Sequence, residues 1–275
     1  MTDRIAYMPL DAYPQAASDS AILSALAVAT SLGCKVQAET FAVSIPPVVS
    51  PVGGYLLNIE GMAQQAEGRS RIECKRLQAL LQAADGRTEA AIREVTIGSA
   101  LGAASAEARH YDLSVVPSSG ERGAAQDMAQ SLVFDSGRPV VLVPERAQPG
   151  PLLHLAVAWD GSRVAARALN DALALLAPGG RISVLTVKGE KALGPSDPAG
   201  TLAAVLGRRG HEATAISLTL DGRAISEVLQ DAAVAAGAGL LAMGGFGHSR
   251  LRDFVLGGAT KGILGDLRLP VLLSH

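Results

Sequence analysis

Short apolar runs alternate with Ala- and Leu-rich segments along this chain, and the same order of elements is played through twice. Residues 5–8 read as a first strand ending near Asp11. A helix follows over 20–32, with Ser20 as a candidate N-cap and Gly33 as its stop. Strands at 36–43, 92–97, 113–116 and 140–143 alternate with helical segments at 58–84, 99–109 and 124–133. The stretch Glu145-Arg146-Ala147-Gln148-Pro149-Gly150-Pro151 breaks every periodic pattern, and after it the series restarts. Strands are expected at 154–158, 182–187, 213–218, 240–243 and 270–273, with helices at 163–176, 199–209 and 225–236 between them. Strands that alternate with helices need a parallel sheet covered on both faces, because each crossover must travel the length of the sheet. The expectation is an α/β chain of two tandem doubly wound domains, residues 1–147 and 151–275. Local likeness supports a duplication, since Arg138-Pro139-Val140-Val141-Leu142-Val143 reads like Leu269-Pro270-Val271-Leu272-Leu273.

Composition narrows the function classes. Lysine and arginine number 24 against 26 acidic residues, a balance that argues against a general grip on nucleic acid or anionic membrane. With aromatics at 3%, base-stacking platforms are not expected either. Cys34 and Cys74 lie far apart, without redox or zinc spacing, and no run of 18 apolar residues suggests a membrane span. A cytoplasmic protein is expected, with no nucleic-acid or membrane partner.

The most specific chemistry lies near the end. Gly239-Leu240-Leu241-Ala242-Met243 is a short apolar run suited to a buried parallel strand, and Gly244-Gly245-Phe246-Gly247-His248-Ser249-Arg250 follows it, leading to Gly257-Gly258. Glycine lets backbone N–H groups approach an anion, and a helix beginning near Gly257 adds the positive end of its dipole. Such glycines equally serve a tight strand-to-helix crossing, and on their own the two readings stand about level. His248 reads more readily as a solvated loop histidine than as a phosphate contact. Arg250 and Arg252 would either neutralise phosphate or line a solvated helix face. A P-loop string and a nucleophile elbow are both missing, and no paired carboxylate or nucleophile with its base marks a reaction.

Three features together resemble the universal stress proteins in their tandem form: Asp160 closing one strand, Val187 closing the next, and Gly244-x-x-Gly247 followed after nine residues by Gly257. The resemblance implies a five-stranded parallel sheet of order 3-2-1-4-5 in each half. It also implies an adenine nucleotide, ATP or a relative with or without Mg²⁺, held by Asp160 and Val187 at the adenosine and by Gly244, Gly247, Gly257 and Gly258 at the phosphates. The family pattern has Ser or Thr where this chain has Gly258, so one phosphate-facing hydroxyl is missing. In the first half Asp11 and Val43 fit, but Pro117-Ser118-Ser119-Gly120 replaces the first glycine segment and Gln130-Ser131 is matched to the second, which reads as a degenerate site. The expected role is a stress-response protein with a regulatory nucleotide. The alternatives are a nucleotide-free scaffold, suggested by Gly258 and the apolar-rich stretch 45–57, and a slow ATPase. Single-domain members of the family pair their fifth strands across a homodimer. Here Val141 and Leu272 are therefore expected on facing edges of one chain, an internal pseudo-dimer that leaves room for a further homodimer.

Overall fold

The computed structural model describes residues 3–47, 59–85, 88–119, 123–188, 198–245 and 258–275. The first half supplies strands β1 (Arg4–Asp11), β2 (Cys34–Ser44), β3 (Glu89–Thr96), β4 (Leu113–Ser118) and β5 (Val140–Pro144), with helices α1 (Asp19–Ser31), α2 (Ile59–Asp85), α3 (Ala100–Ala108) and α4 (Ala124–Asp135). The second supplies β6 (His154–Ala158), β7 (Arg181–Val187), β8 (Glu212–Leu218), β9 (Leu240–Gly244) and β10 (Val271–Ser274), with α5 (Arg163–Leu173), α6 (Pro198–Arg208), α7 (Ile225–Ala235) and α8 (Gly258–Gly265).

All the strands belong to a single ten-stranded sheet, ordered β3-β2-β1-β4-β5-β10-β9-β6-β7-β8. Read from each outer edge towards the middle, each half has the order 3-2-1-4-5. Pairing is parallel within each half and antiparallel where β5 meets β10, with Leu272 opposite Val141. The two fifth strands thus close each other's edges, which removes the unpaired N–H and C=O rows that make outer strands prone to association.

Side chains alternate across the pleat and build two cores. Ala6, Met8 and Leu10 point with Val141, Leu272 and Val157 to the face covered by Ile22 and Leu26 of α1, Leu77 of α2, Leu169 of α5 and Leu206 of α6. Tyr7, Leu142, Val271 and Met243 point to the opposite face, under Ala104 of α3, Leu132 of α4, Leu229 of α7 and Ile263 of α8. Both cores run across the β5–β10 seam.

Two local expectations are corrected. Helix α1 is capped by Ser18, whose backbone is extended (ψ 150°) and whose hydroxyl accepts from the Ala21 N–H at 3.2 Å. Ser20 lies inside the first turn instead, and its hydroxyl donates to Glu145. Gly33 does stop the helix, with φ +79°. Gln130 and Ser131 fall in the middle of α4, well past its start, whereas Gly258 is the first described residue of α8. The helix-opening position in the first half belongs to Gly123 and Ala124.

Candidate functional site: the crevice between β6 and β9

Strands β6 and β9 lie side by side and parallel, with Val157 opposite Ala242. Their chains then part. After β6 the polypeptide enters α5, whose Ala168 and Leu169 pack on one face of the sheet; after β9 it returns through α8, whose Ile263 packs on the other. A crevice opens where neighbouring strands send their connections to opposite faces, at the C-terminal ends of the strands. Asp160 and Gly244 both stand at that end, a few residues beyond the paired Val157 and Ala242.

The turn leaving β6 is set by short polar contacts. Asp160 Oδ1 accepts from the Ser162 N–H at 2.9 Å, and Gly161 takes φ +74°. Ser162 then caps α5, its hydroxyl accepting from the Ala165 N–H at 3.2 Å. Asp160 is exposed, and its carboxylate therefore has a turn-forming role as well as a position at the crevice mouth. Val187 ends β7, half-buried against the α7–α8 core, and β7 is tied to the β6 exit by the Trp159 N–H donating to the Leu185 carbonyl at 2.8 Å and Thr186 Oγ1 donating to the Trp159 carbonyl at 2.9 Å.

Gly244 is required by packing rather than by the positive φ expected of a turn glycine. It is not among the glycines with positive φ; it lies in β9, and a Cβ placed there would come 2.5 Å from Val164 Cγ2 and 2.8 Å from the Ala165 nitrogen. Glycine is needed because the strand end touches the first turn of α5. No local sequence signal marks that contact, since Val164 is eighty residues earlier in the chain. Gly258 is the first described residue of α8. Gly247, Gly257, His248, Arg250 and Arg252 lie outside the described residues.

The equivalent end of the first half differs in charge and in donors. Pro117 pairs with Val143 as Gly244 pairs with Ser274, so a residue without an N–H occupies the glycine's place. Asp11, at the end of β1, has its carboxyl pushed up to about 6, first by burial and then by the charge of Asp127 in the first turn of α4. Glu145, just past β5, accepts from the Ser18 and Ser20 hydroxyls, which hold its carboxyl below the usual range. Two carboxylates, those of Asp11 and Asp127, thus face each other at the end of β1.

The raised Asp11 value fixes a pH dependence. The folded protein favours the neutral acid, so this contribution to stability is fully present below about pH 4 and is lost as pH rises through about 6. Asp11→Asn is expected to raise unfolding stability at pH 8 by about 1–2 kcal/mol, below the ~3 kcal/mol that two pKa units represent because the side chain keeps some contact with water. The gain should shrink to nothing by about pH 3 in urea titrations. An equal gain at both pH values would show that Asp11 is not ionised against its surroundings.

His154 and Cys34 lie away from this end of the sheet. His154 starts β6, at the opposite end of the strand; its Nε2 lies 2.9 Å from Ser183 Oγ, and burial followed by the nearby Arg181 draws its pKa down. Cys34 and Cys74 are free and buried. Among the described residues there is no group of three or more His, Cys, Asp or Glu able to hold a metal ion, and no helix is long and apolar enough to cross a membrane.

Residues 153–275 match the universal stress protein family model. No curated protein sequence matches the chain. Among solved structures, a universal stress protein from Archaeoglobus fulgidus DSM 4304 is similar over 98% of this chain and 97% of its own, with 18% identity and a TM-score of 0.66. A protein from Pseudomonas aeruginosa UCBPP-PA14, described as of the universal stress type, is similar over 99% of this chain and 93% of its own, at 13% identity and a TM-score of 0.51. A universal stress protein in complex with cAMP also matches, at 18% identity over 46% of this chain and 99% of its own, with a TM-score of 0.35. Residues 153–275 are thus similar to the universal stress protein family, and the sheet order 3-2-1-4-5 is present in both halves of the chain.

Proposed function

We propose that the protein is a stress-response nucleotide binder in which residues 151–275 form the binding domain and residues 1–147 a companion domain with a degenerate site. The ligand is ATP or another adenine nucleotide, used as a regulatory signal. Asp160 and Val187 take the adenosine end, and Gly244, Gly247, Gly257 and Gly258 take the phosphates, with Mg²⁺ as a candidate companion of the phosphate charge. The observation that carries this reading is the β6–β9 crevice: the connections leave to opposite faces, Asp160 stands on one lip, and Gly244 stands on the other. The N-terminal end of α8, which includes Gly258 or lies just before it, would favour an anion through its N–H groups and dipole, even without a hydroxyl at Gly258.

The two halves should bind unequally. Backbone N–H donors favour an anion in the second half, whereas Pro117 and the carboxylates of Asp11 and Asp127 oppose one in the first. Calorimetric titration with ATP, with and without Mg²⁺, is expected to saturate at one nucleotide per chain and to lose its signal in Gly257→Val, where a β-branched side chain enters the anion's place. Saturation at two would show that the first half also binds. A flat titration of the unmutated protein, with no nucleotide released on denaturing it after gentle purification, would favour the nucleotide-free scaffold instead.

A further inference from the structure

The outermost strands of the ten-stranded sheet are β3 and β8, and they are built differently. Strand β3 carries charge along its middle: Arg93 pairs with Glu39 and Glu107, and Glu94 pairs with Arg71. Charged side chains on an outer strand discourage a further strand from docking. Strand β8, Glu212-Ala213-Thr214-Ala215-Ile216-Ser217-Leu218, has no charge, proline or glycine after Glu212, and none of its residues is buried. Among the described residues it pairs with β7 alone. The Lys188 N–H donates to the Leu218 carbonyl at 2.9 Å, so Leu218, Ile216, Thr214 and Glu212 turn their backbone N–H and C=O towards β7. These groups alternate in direction along a strand, and those of Ala213, Ala215 and Ser217 therefore point away from the sheet.

We propose that β8 is the contact strand of a homodimer, pairing antiparallel with β8 of a second copy about a two-fold axis at Ala215. The inference is independent of the nucleotide reading. In that register Ala215 faces Ala215, Ala213 faces Ser217 and Thr214 faces Ile216, and the outward N–H and C=O groups are satisfied by about six ladder bonds. Just outside the strand, the exposed Arg208 and Arg209 of one copy come to the end that holds the exposed Asp221 of the other, and the two-fold repeats this match at the opposite end. A second copy fits this edge better than an unrelated extended peptide. Both the small, uncharged middle of the strand and the opposite charges at its two ends complement themselves when the strand is reversed. The fold already closes one pair of edges in this antiparallel way, at β5 and β10.

Analytical ultracentrifugation of the full chain is expected to show a reversible dimer, twice the 28.1 kDa of one chain. Hydrogen exchange at the amides of Ala213, Ala215 and Ser217 should slow as the concentration rises through the dimerisation range. Ala215→Pro deletes an outward N–H and no bond to β7, so it should weaken dimerisation at least about tenfold and leave the urea midpoint unchanged. Arg209→Glu should weaken the dimer about two- to tenfold, the range for two exposed ion pairs, and decides the matter if the proline also lowers the midpoint. Ile92→Pro, at an outward-pointing position of β3, should leave the dimer intact. A single-chain mass at every concentration, a dimer unaffected by Ala215→Pro and Arg209→Glu, or a dimer lost in Ile92→Pro instead would overturn the proposal. So would protection of the three amides that does not depend on concentration, since the edge would then be covered within one chain.

Discussion

Leu272→Lys is expected to unfold the protein under conditions in which Ile92→Lys leaves it intact. Leu272 is fully buried at the centre of the ten-stranded sheet, opposite the equally buried Val141. Helices α1 and α5 pack over the two strands concerned. Removing the leucine side chain forfeits about 2–4 kcal/mol of packing and transfer energy. Placing an ammonium in the same apolar space adds a desolvation cost of several kcal/mol more, because no carboxylate faces it across the seam. The sum, above about 5 kcal/mol, is comparable to the whole stability of an ordinary domain. Ile92 lies on the outer strand β3 and is 39% exposed, so a lysine there can reach water. Urea unfolding and small-angle scattering together distinguish the outcomes. A collapse of the unfolding midpoint, or an expanded particle with two separated halves, is the expected result. A midpoint and scattering curve for Leu272→Lys that match the unmutated protein would sink the paired-strand account. The same seam explains why two such units share a chain: the contact that an isologous dimer would make between subunits is made internally, at a concentration set by the linker.

Gly244→Val should destabilise the unliganded protein by about 3 kcal/mol or more, and Gly244→Ala by about 1–3 kcal/mol, the range for overfilling a packed site. The clash is with backbone as well as side chain, since the added Cβ would lie 2.8 Å from both the carbonyl carbon of Val164 and the nitrogen of Ala165. The first turn of α5 cannot retreat freely: the Ala165 N–H is held by Ser162 Oγ and the Ala166 N–H by the Ser162 carbonyl. Val164→Ala removes the 2.5 Å contact with Cγ2 and leaves the backbone contacts, so it should restore only part of the stability of Gly244→Ala. Denaturant midpoints measured without nucleotide check this. If Gly244→Val unfolded at the same urea concentration as the unmutated protein, the close approach of β9 to α5 would be wrong. The distinction bears on function too: loss of ATP binding in a Gly244 variant reports on the fold of the crevice, whereas loss in Gly257→Val reports on the anion.

Much of the architecture could be read from local pattern because short-range physics specifies it. The restart after the Pro149-Gly150-Pro151 stretch, the His154–Ala158 strand and the apolar fifth strands follow from periodicity, chain-breaking residues and runs too short for buried helices. The place of Asp160 and Gly244 at one end of neighbouring strands follows from the family's strand order, and the pairing of β6 with β9 agrees with it. What the tertiary structure decided is what depends on contacts between distant segments. Strand β3 begins at Glu89, three residues ahead of the apolar signal, because Gln37 to Ser44 of β2 offer a ladder that Glu-Ala-Ala has little propensity to seek. Ser18 rather than Ser20 caps α1, and Glu145, far along the chain, accepts from both hydroxyls. The need for glycine at 244 comes from Val164, and the raised carboxyl of Asp11 comes partly from Asp127. His275, which in the sequence is one scattered histidine, gains a partner in Phe134 only when the antiparallel seam brings α4 beside β9. Propensity and pattern act over a few residues and leave their mark in the letters, whereas a steric or electrostatic contact across a hundred residues exists only after the chain has folded.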